Sequence, residues 1–104
     1  MPTQPDVVHF VVIGRDAVDS GVRRQTSLDE HRAYVDGWAE QIVLSGPLLA
    51  DDATTRVGQI FVLQVDDRAS AERFVAQDPF SLAGVFSDVQ IYRFSPKFEA
   101  GRRR

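Results

Sequence analysis

The hydrophobic positions along this chain switch between two periods. Val7 to Ile13 (Val-Val-His-Phe-Val-Val-Ile) is β-branched or aromatic almost throughout, the mark of a strand. Alternation puts Val8, Phe10 and Val12 on one face, with Val7, His9, Val11 and Ile13 on the other. Gly14 to Thr26 is polar, carries turn-forming Asp16, Asp19, Ser20 and Gly21, and reads as a long loop. Ser27-Leu28-Asp29-Glu30 has the spacing of a capping box, which predicts a helix from about Leu28 to Val43. Successive residues turn by about 100° in a helix, so Leu28, His31, Tyr34, Val35, Trp38, Ala39, Ile42 and Val43 share its inner side. Ser45-Gly46-Pro47 then reads as its stop.

Beyond that stop, Leu48-Leu49-Ala50 predicts a short strand and Asp51 to Arg56 a polar hairpin loop. Gly58 to Val65 is a second strong strand, again apolar on both faces. A second helix begins around Asp67 or Ser70, with Ala71, Phe74 and Val75 facing inward. It ends at Asp78, because a residue before proline is pushed out of the helical region. Asp-Pro is equally the signature of a helix start, with Asp78 as N-cap and Pro79 in the first turn. The two roles are compatible, one oxygen capping while the other faces a cavity. Asp88 to Ser95 closes the pattern as a strand. The order is βαββαβ, which predicts an α+β ferredoxin-like sandwich: one antiparallel sheet with both helices on the same face. Two helices cover one face only, yet at least three strands are apolar on both. A soluble monomer rarely exposes so large a patch, so the second face is expected to meet another copy of the chain.

Composition narrows the chemistry. With 104 residues the chain is expected to form a single domain over 1–104, with a structured core over about 7–95 and short flexible tails. A net charge of −3 argues against nucleic-acid binding, and the terminal Arg102-Arg103-Arg104 run reads as a frayed tail. Zero cysteines exclude disulfides, thiol nucleophiles and thiolate metal sites. The first residues lack the pattern of a signal peptide and no apolar run reaches membrane-spanning length, so a cytoplasmic protein without membrane contact is expected.

The inward phase of His31 makes it a candidate base, or a satisfied core histidine. A desolvated imidazole stays neutral unless a carboxylate is close, and Asp78 is the obvious partner. His9, alone on a strand face, reads as a packed residue. The histidines and scattered carboxylates show no metal-ligand spacing, so no metal is expected.

Asp16, Asp19-Ser20, Arg24, His31, Gly46-Pro47, Asp78-Pro79-Phe80, Ala83-Gly84-Val85 and Phe94 occur in an order that resembles the YciI-like (YCII-related) family of the dimeric α+β barrel group. The resemblance runs from the first strand to Phe94. It implies a homodimer with stacked sheets, a pocket between sheet and helices, and a His–Asp dyad carried over onto His31 and Asp78. Arg24, Asp19, Ser20, Pro47 and Phe80 are the implied substrate contacts, Arg24 for an anionic group or a leaving halide. Many members carry an arginine where this chain has Leu28, so one anion contact is expected to be missing. The implied activity is a cofactor-independent, general acid–base reaction, dehydrochlorinase-like, on a phenolic or aromatic-catabolite substrate. A monooxygenase- or isomerase-like relative and a non-catalytic small-molecule-binding module stand beside that reading.

Overall fold

The computed structural model describes residues 8–104, so Val7, expected to open the first strand, lies outside the described residues. β1 (His9–Asp16), α1 (Gly21–Asp36), β2 (Ile42–Leu49), β3 (Arg56–Gln64), α2 (Arg68–Gln77), the short α3 (Pro79–Leu82) and β4 (Phe86–Phe94) follow in order. The four strands form one antiparallel sheet in the order β2-β3-β1-β4. This is the expected α+β, ferredoxin-like arrangement.

The Phe10 and Val12 face of β1 is the one the helices cover. Phe10, Val12, Phe61 and Leu63 from the central strands pack with Ala71 and Phe74 of α2, and Tyr34 and Val35 of α1 close over the same cluster. Each of these large side chains contributes roughly 1.5–3 kcal/mol by leaving water. The Tyr34 hydroxyl donates to the Phe74 carbonyl at 2.9 Å and ties α1 to α2.

Several boundaries differ from expectation. Gly21 to Thr26, expected in a loop, is helical, and α1 begins seven residues before the predicted start at Leu28, with Ser20 at its N-cap position. Ser27 lies inside the helix and is no cap. Its hydroxyl donates to the Arg23 carbonyl one turn back at 2.6 Å, the local bond by which serine imitates a capping signal. The helix also ends earlier, at Asp36, with Gly37 as its C-cap. Ser45-Gly46-Pro47 therefore does not stop a helix; it lies within β2. β-branched Ile42 and Val43 favour the extended chain there, and Pro47 is tolerated because β2 is an edge strand. β3 begins at Arg56 and β4 at Phe86, each two residues before its predicted start at Gly58 and Asp88. The expected caps of α2 and α3 are in place: Asp67 accepts from the Ser70 amide and Asp78 from the Phe80 amide.

The C-terminal run expected to fray instead pairs as a two-stranded hairpin, β5 (Phe98–Glu99) with β6 (Arg102–Arg103). Ala100 and Gly101 both adopt left-handed φ, 51° and 77°, the geometry of a tight hairpin turn. The Arg103 guanidinium lies 4.2 Å from the Phe98 ring centroid and fastens the two strands. Among the described residues, no helix is long and apolar enough to cross a membrane.

Candidate active site

His31 stands on the inner side of α1 and Asp78 at the junction of α2 and α3. The helical phase of the first and the Asp-Pro turn of the second bring them together. His31 Nδ1 and Asp78 Oδ1 are 2.6 Å apart, with the side chains 9% and 2% exposed. An ionised carboxylate only accepts, so Nδ1–H is the donor and the ring is held as the Nδ1–H tautomer. The same Oδ1 accepts the Phe80 amide at 3.0 Å. One oxygen thus caps α3 and holds the histidine, where the sequence suggested a division between two.

Phe80 lies flat on the imidazole, with centroids 3.6 Å apart and planes 2° from parallel. The Phe61 ring meets the imidazole edge-on from the sheet, at 6.4 Å. His31 is thereby fixed in tautomer and orientation. Its other nitrogen, Nε2, has no hydrogen-bond partner among the described residues, and the residue borders a cavity of about 280 Å³.

Leu28, Pro47 and Phe80 give that cavity apolar wall; Arg24, Arg32, Arg56 and Gln59 supply its polar groups. Of the expected contacts, Arg24, Pro47 and Phe80 line the cavity with His31, and Asp19 and Ser20 are not among its lining residues. Asp19 is exposed in a left-handed turn with φ 59°, and Ser20 is buried at the start of α1. Pro47 reaches the cavity from the edge strand rather than from a helix stop. Leu28 borders the same space.

Arg56 escaped sequence reasoning, having been placed in a polar loop. Asp16 Oδ2 accepts from Arg56 Nε at 3.0 Å and from Arg24 Nη1 at 3.2 Å, so one carboxylate gathers two guanidinium groups. Both ends of this cluster sit at register shifts. β4 advances two residues against one of β1 at Arg15–Asp16, and β3 does the same against β2 opposite Leu48–Leu49. Such bulges re-aim side chains that strict alternation would send elsewhere. Gly58 permits the close strand approach beside them, since a Cβ there would lie 2.2 Å from the Gly14 carbonyl oxygen. Burial pushes the Arg56 guanidinium below its ordinary pKa, with Asp16 opposing the shift; arginine nonetheless stays charged. Among the described residues, no group of three or more His, Asp or Glu could hold a metal ion.

A buried imidazole bonded to a carboxylate thus borders a small pocket in an α+β fold. The chain belongs to the YCII-related domain family, which matches residues 8–95. Among solved structures it is similar to 5-chloro-2-hydroxyhydroquinone dehydrochlorinase (TftG) from Burkholderia phenoliruptrix AC1100, in complex with 2,5-dihydroxybenzoquinone. The TM-score is 0.76 and the identity 24%, over 84% of this chain and 93% of that one. At that identity the likeness shows the fold. The protein At3g17210 from Arabidopsis thaliana aligns at 12% identity and TM-score 0.47, over 89% of this chain and 98% of that one. A search of the curated proteins found no significant match.

Proposed function

We propose that the chain is a cofactor-independent small-molecule enzyme in which His31 acts as general base and acid, with Asp78 holding its tautomer. The observation that carries this reading is the 2.6 Å His31–Asp78 bond beside a cavity, with Nε2 left unpartnered. Nε2 would take a proton from a hydroxyl group or an acidified carbon, and Asp78 would stabilise the imidazolium that results. Positioned proton transfer of this kind is worth ~10²–10⁴-fold in rate. A dehydrochlorinase-like lyase reaction on a phenolic substrate suits the geometry. Loss of a proton to Nε2, and of chloride with its bonding electron pair, removes HCl without an outside electron acceptor. The family membership and the fold of the chlorohydroxyhydroquinone dehydrochlorinase support the choice of substrate class by analogy.

The test is a turnover panel of chlorinated and unchlorinated hydroxyhydroquinones, catechols and phenols with wild type and His31→Ala. Turnover of at least one member by wild type, reduced ~10²-fold or more in the variant, is expected. Equal turnover by both proteins overturns the acid–base role. A second reading has its own observation. Asp78 Oδ1 also caps α3, so the pair joins α1 to α3 and would serve equally in a non-catalytic binding module.

The working unit in this proposal is a homodimer through the sheet face opposite the helices. Support comes from that face: Val11, Ile13, Ile60 and Val62 are only half-buried, and Leu44 and Tyr92 are 65% and 52% exposed. Light scattering at micromolar concentration should give twice the chain mass of 11.6 kDa. A monodisperse monomer removes the dimer from the proposal.

A further inference from the structure

The cavity beside His31 has a charge that the chain as a whole does not. Three arginines line it and no carboxylate does, in a protein of net charge −3. Beside His31 and Gln59, its apolar wall is Leu28, Pro47 and the Phe80 ring, which suits a flat apolar body. The three cations are differently placed. Arg32 is exposed on α1. Arg24 is 30% exposed in its side chain and engaged to Asp16. Arg56 is only 15% exposed.

Arg56 also has the most unused capacity. A guanidinium carries five N–H donors, and among the described residues Arg56 places only Nε–H, on Asp16. Its Nη2 is buried without a partner, as is Asp16 Oδ1, so the ion pair between the two residues is incomplete; Nη1 makes no hydrogen bond among the described residues. The guanidinium carbon lies 5.6 Å from the centroid of Phe80, the ring stacked on His31. Arg56 therefore stands at the same wall as the proposed base, with its fork held from behind by Asp16.

From this geometry we infer that Arg56 selects the charge of the substrate. It anchors an oxyanion of a flat aromatic ligand, so the site takes phenolates, enolates or carboxylates in preference to neutral rings. The inference rests on the cavity being the substrate site, as proposed above. It assigns the anion contact to β3, the strand facing the cavity from the sheet, and so explains how the pocket manages with Leu28 on α1. Hydrogen bonds from a buried charged donor are stronger than those in water, which favours Arg56 over exposed Arg32 as the anchor.

Equilibrium binding tests this with two rings of similar size. One is 2,5-dihydroxybenzoquinone, a vinylogous acid that is anionic near pH 7. The other is hydroquinone, a phenol with a pKa of ~10 and so neutral there. Isothermal titration of wild type should show clear preference for the anion. Arg56→Gln should weaken the anion about ten- to hundredfold and leave hydroquinone within about twofold. Arg56→Lys should recover part of the loss, having the charge without the fork. Arg32→Gln should weaken the anion less than Arg56→Gln. Wild type that binds neither probe, or shows no preference, overturns the inference. So does an Arg56→Gln protein that keeps anion affinity or loses both probes equally. His31→Ala separates the two readings. Full turnover in His31→Ala, with Arg56→Gln still losing the anion, discards the acid–base role and keeps this one.

Discussion

His31 and His9 are almost equally buried, 7% and 5% exposed, on opposite sides of one sheet, and they have little else in common. His31 faces the helical layer with a carboxylate on one nitrogen, an aromatic ring stacked on its plane, and a cavity with three arginines beside it. His9 faces the side away from the helices, in a cavity of about 290 Å³ walled by Val43, Leu44, Val62 and Phe94 of the sheet and Phe98 of the C-terminal hairpin. No side-chain hydrogen bond to His9 occurs among the described residues. Burial is common to both; orientation by a partner is not. A buried imidazole becomes a candidate base when a second group fixes its tautomer and leaves the other nitrogen toward a space a substrate can enter.

The two faces can be set against each other most strongly with a charge. Val12 is 3% exposed under the helices, and Val11 is half-buried on the other side. Val12→Asp places an unpaired carboxylate in the packed core and is expected to prevent folding, since such burial exceeds what a small domain can offset. Val11→Asp should keep its circular dichroism spectrum and lose only the proposed dimer. If both variants fold and remain dimeric, the distinction between a core face and an assembly face disappears.

The next contrast concerns chemistry. Asp78→Asn keeps an oxygen to cap α3 and removes the charge that orients His31, so turnover should fall ~10²-fold or more. Its cost in stability should be about 1–3 kcal/mol, that of weakening a buried charged hydrogen bond. His9→Gln should leave turnover within about twofold. Urea melts beside the rate assay decide the matter. A parallel loss of stability and rate in Asp78→Asn, or a large rate loss in His9→Gln, places the two histidines in one class.

Much of this comparison was legible in the chain. The phase of Leu28, His31, Tyr34 and Val35 survives a helix that starts and ends seven residues earlier than predicted, because phase depends on spacing rather than on termini. Asp78-Pro79 marks a cap by local chemistry alone. The start of α1 was not legible, since Ser27 bonds backward within the helix as a cap would bond forward. Arg56 was hidden for a different reason. It follows the polar run Asp51 to Thr55 and lies where β3 slips against β2, so no periodic pattern points it at Phe80. Which face of β1 meets the helices was open as well, because both faces are apolar and only tertiary packing distinguishes them.

The smallest expected effect is the pH response of His9. Burial lowers its pKa, first among the causes; Arg104 adds to the shift and Glu99 opposes it. The unfolded chain titrates near ~6.5, so between that value and the lower folded one it binds more protons than the native state does. The stability that His9 contributes is therefore complete above about pH 6.5 and is lost as pH falls through the folded value. Thermal melts from pH 7.5 to pH 5 should show a steeper fall in Tm for wild type than for His9→Gln. A sheet-to-sheet dimer would bury the imidazole further, so acid should dissociate wild type more readily than the variant in light scattering. Identical pH slopes for the two proteins would mean that His9 accepts a proton without leaving its place. Its face would then be open to water, against the covered face that the dimer requires.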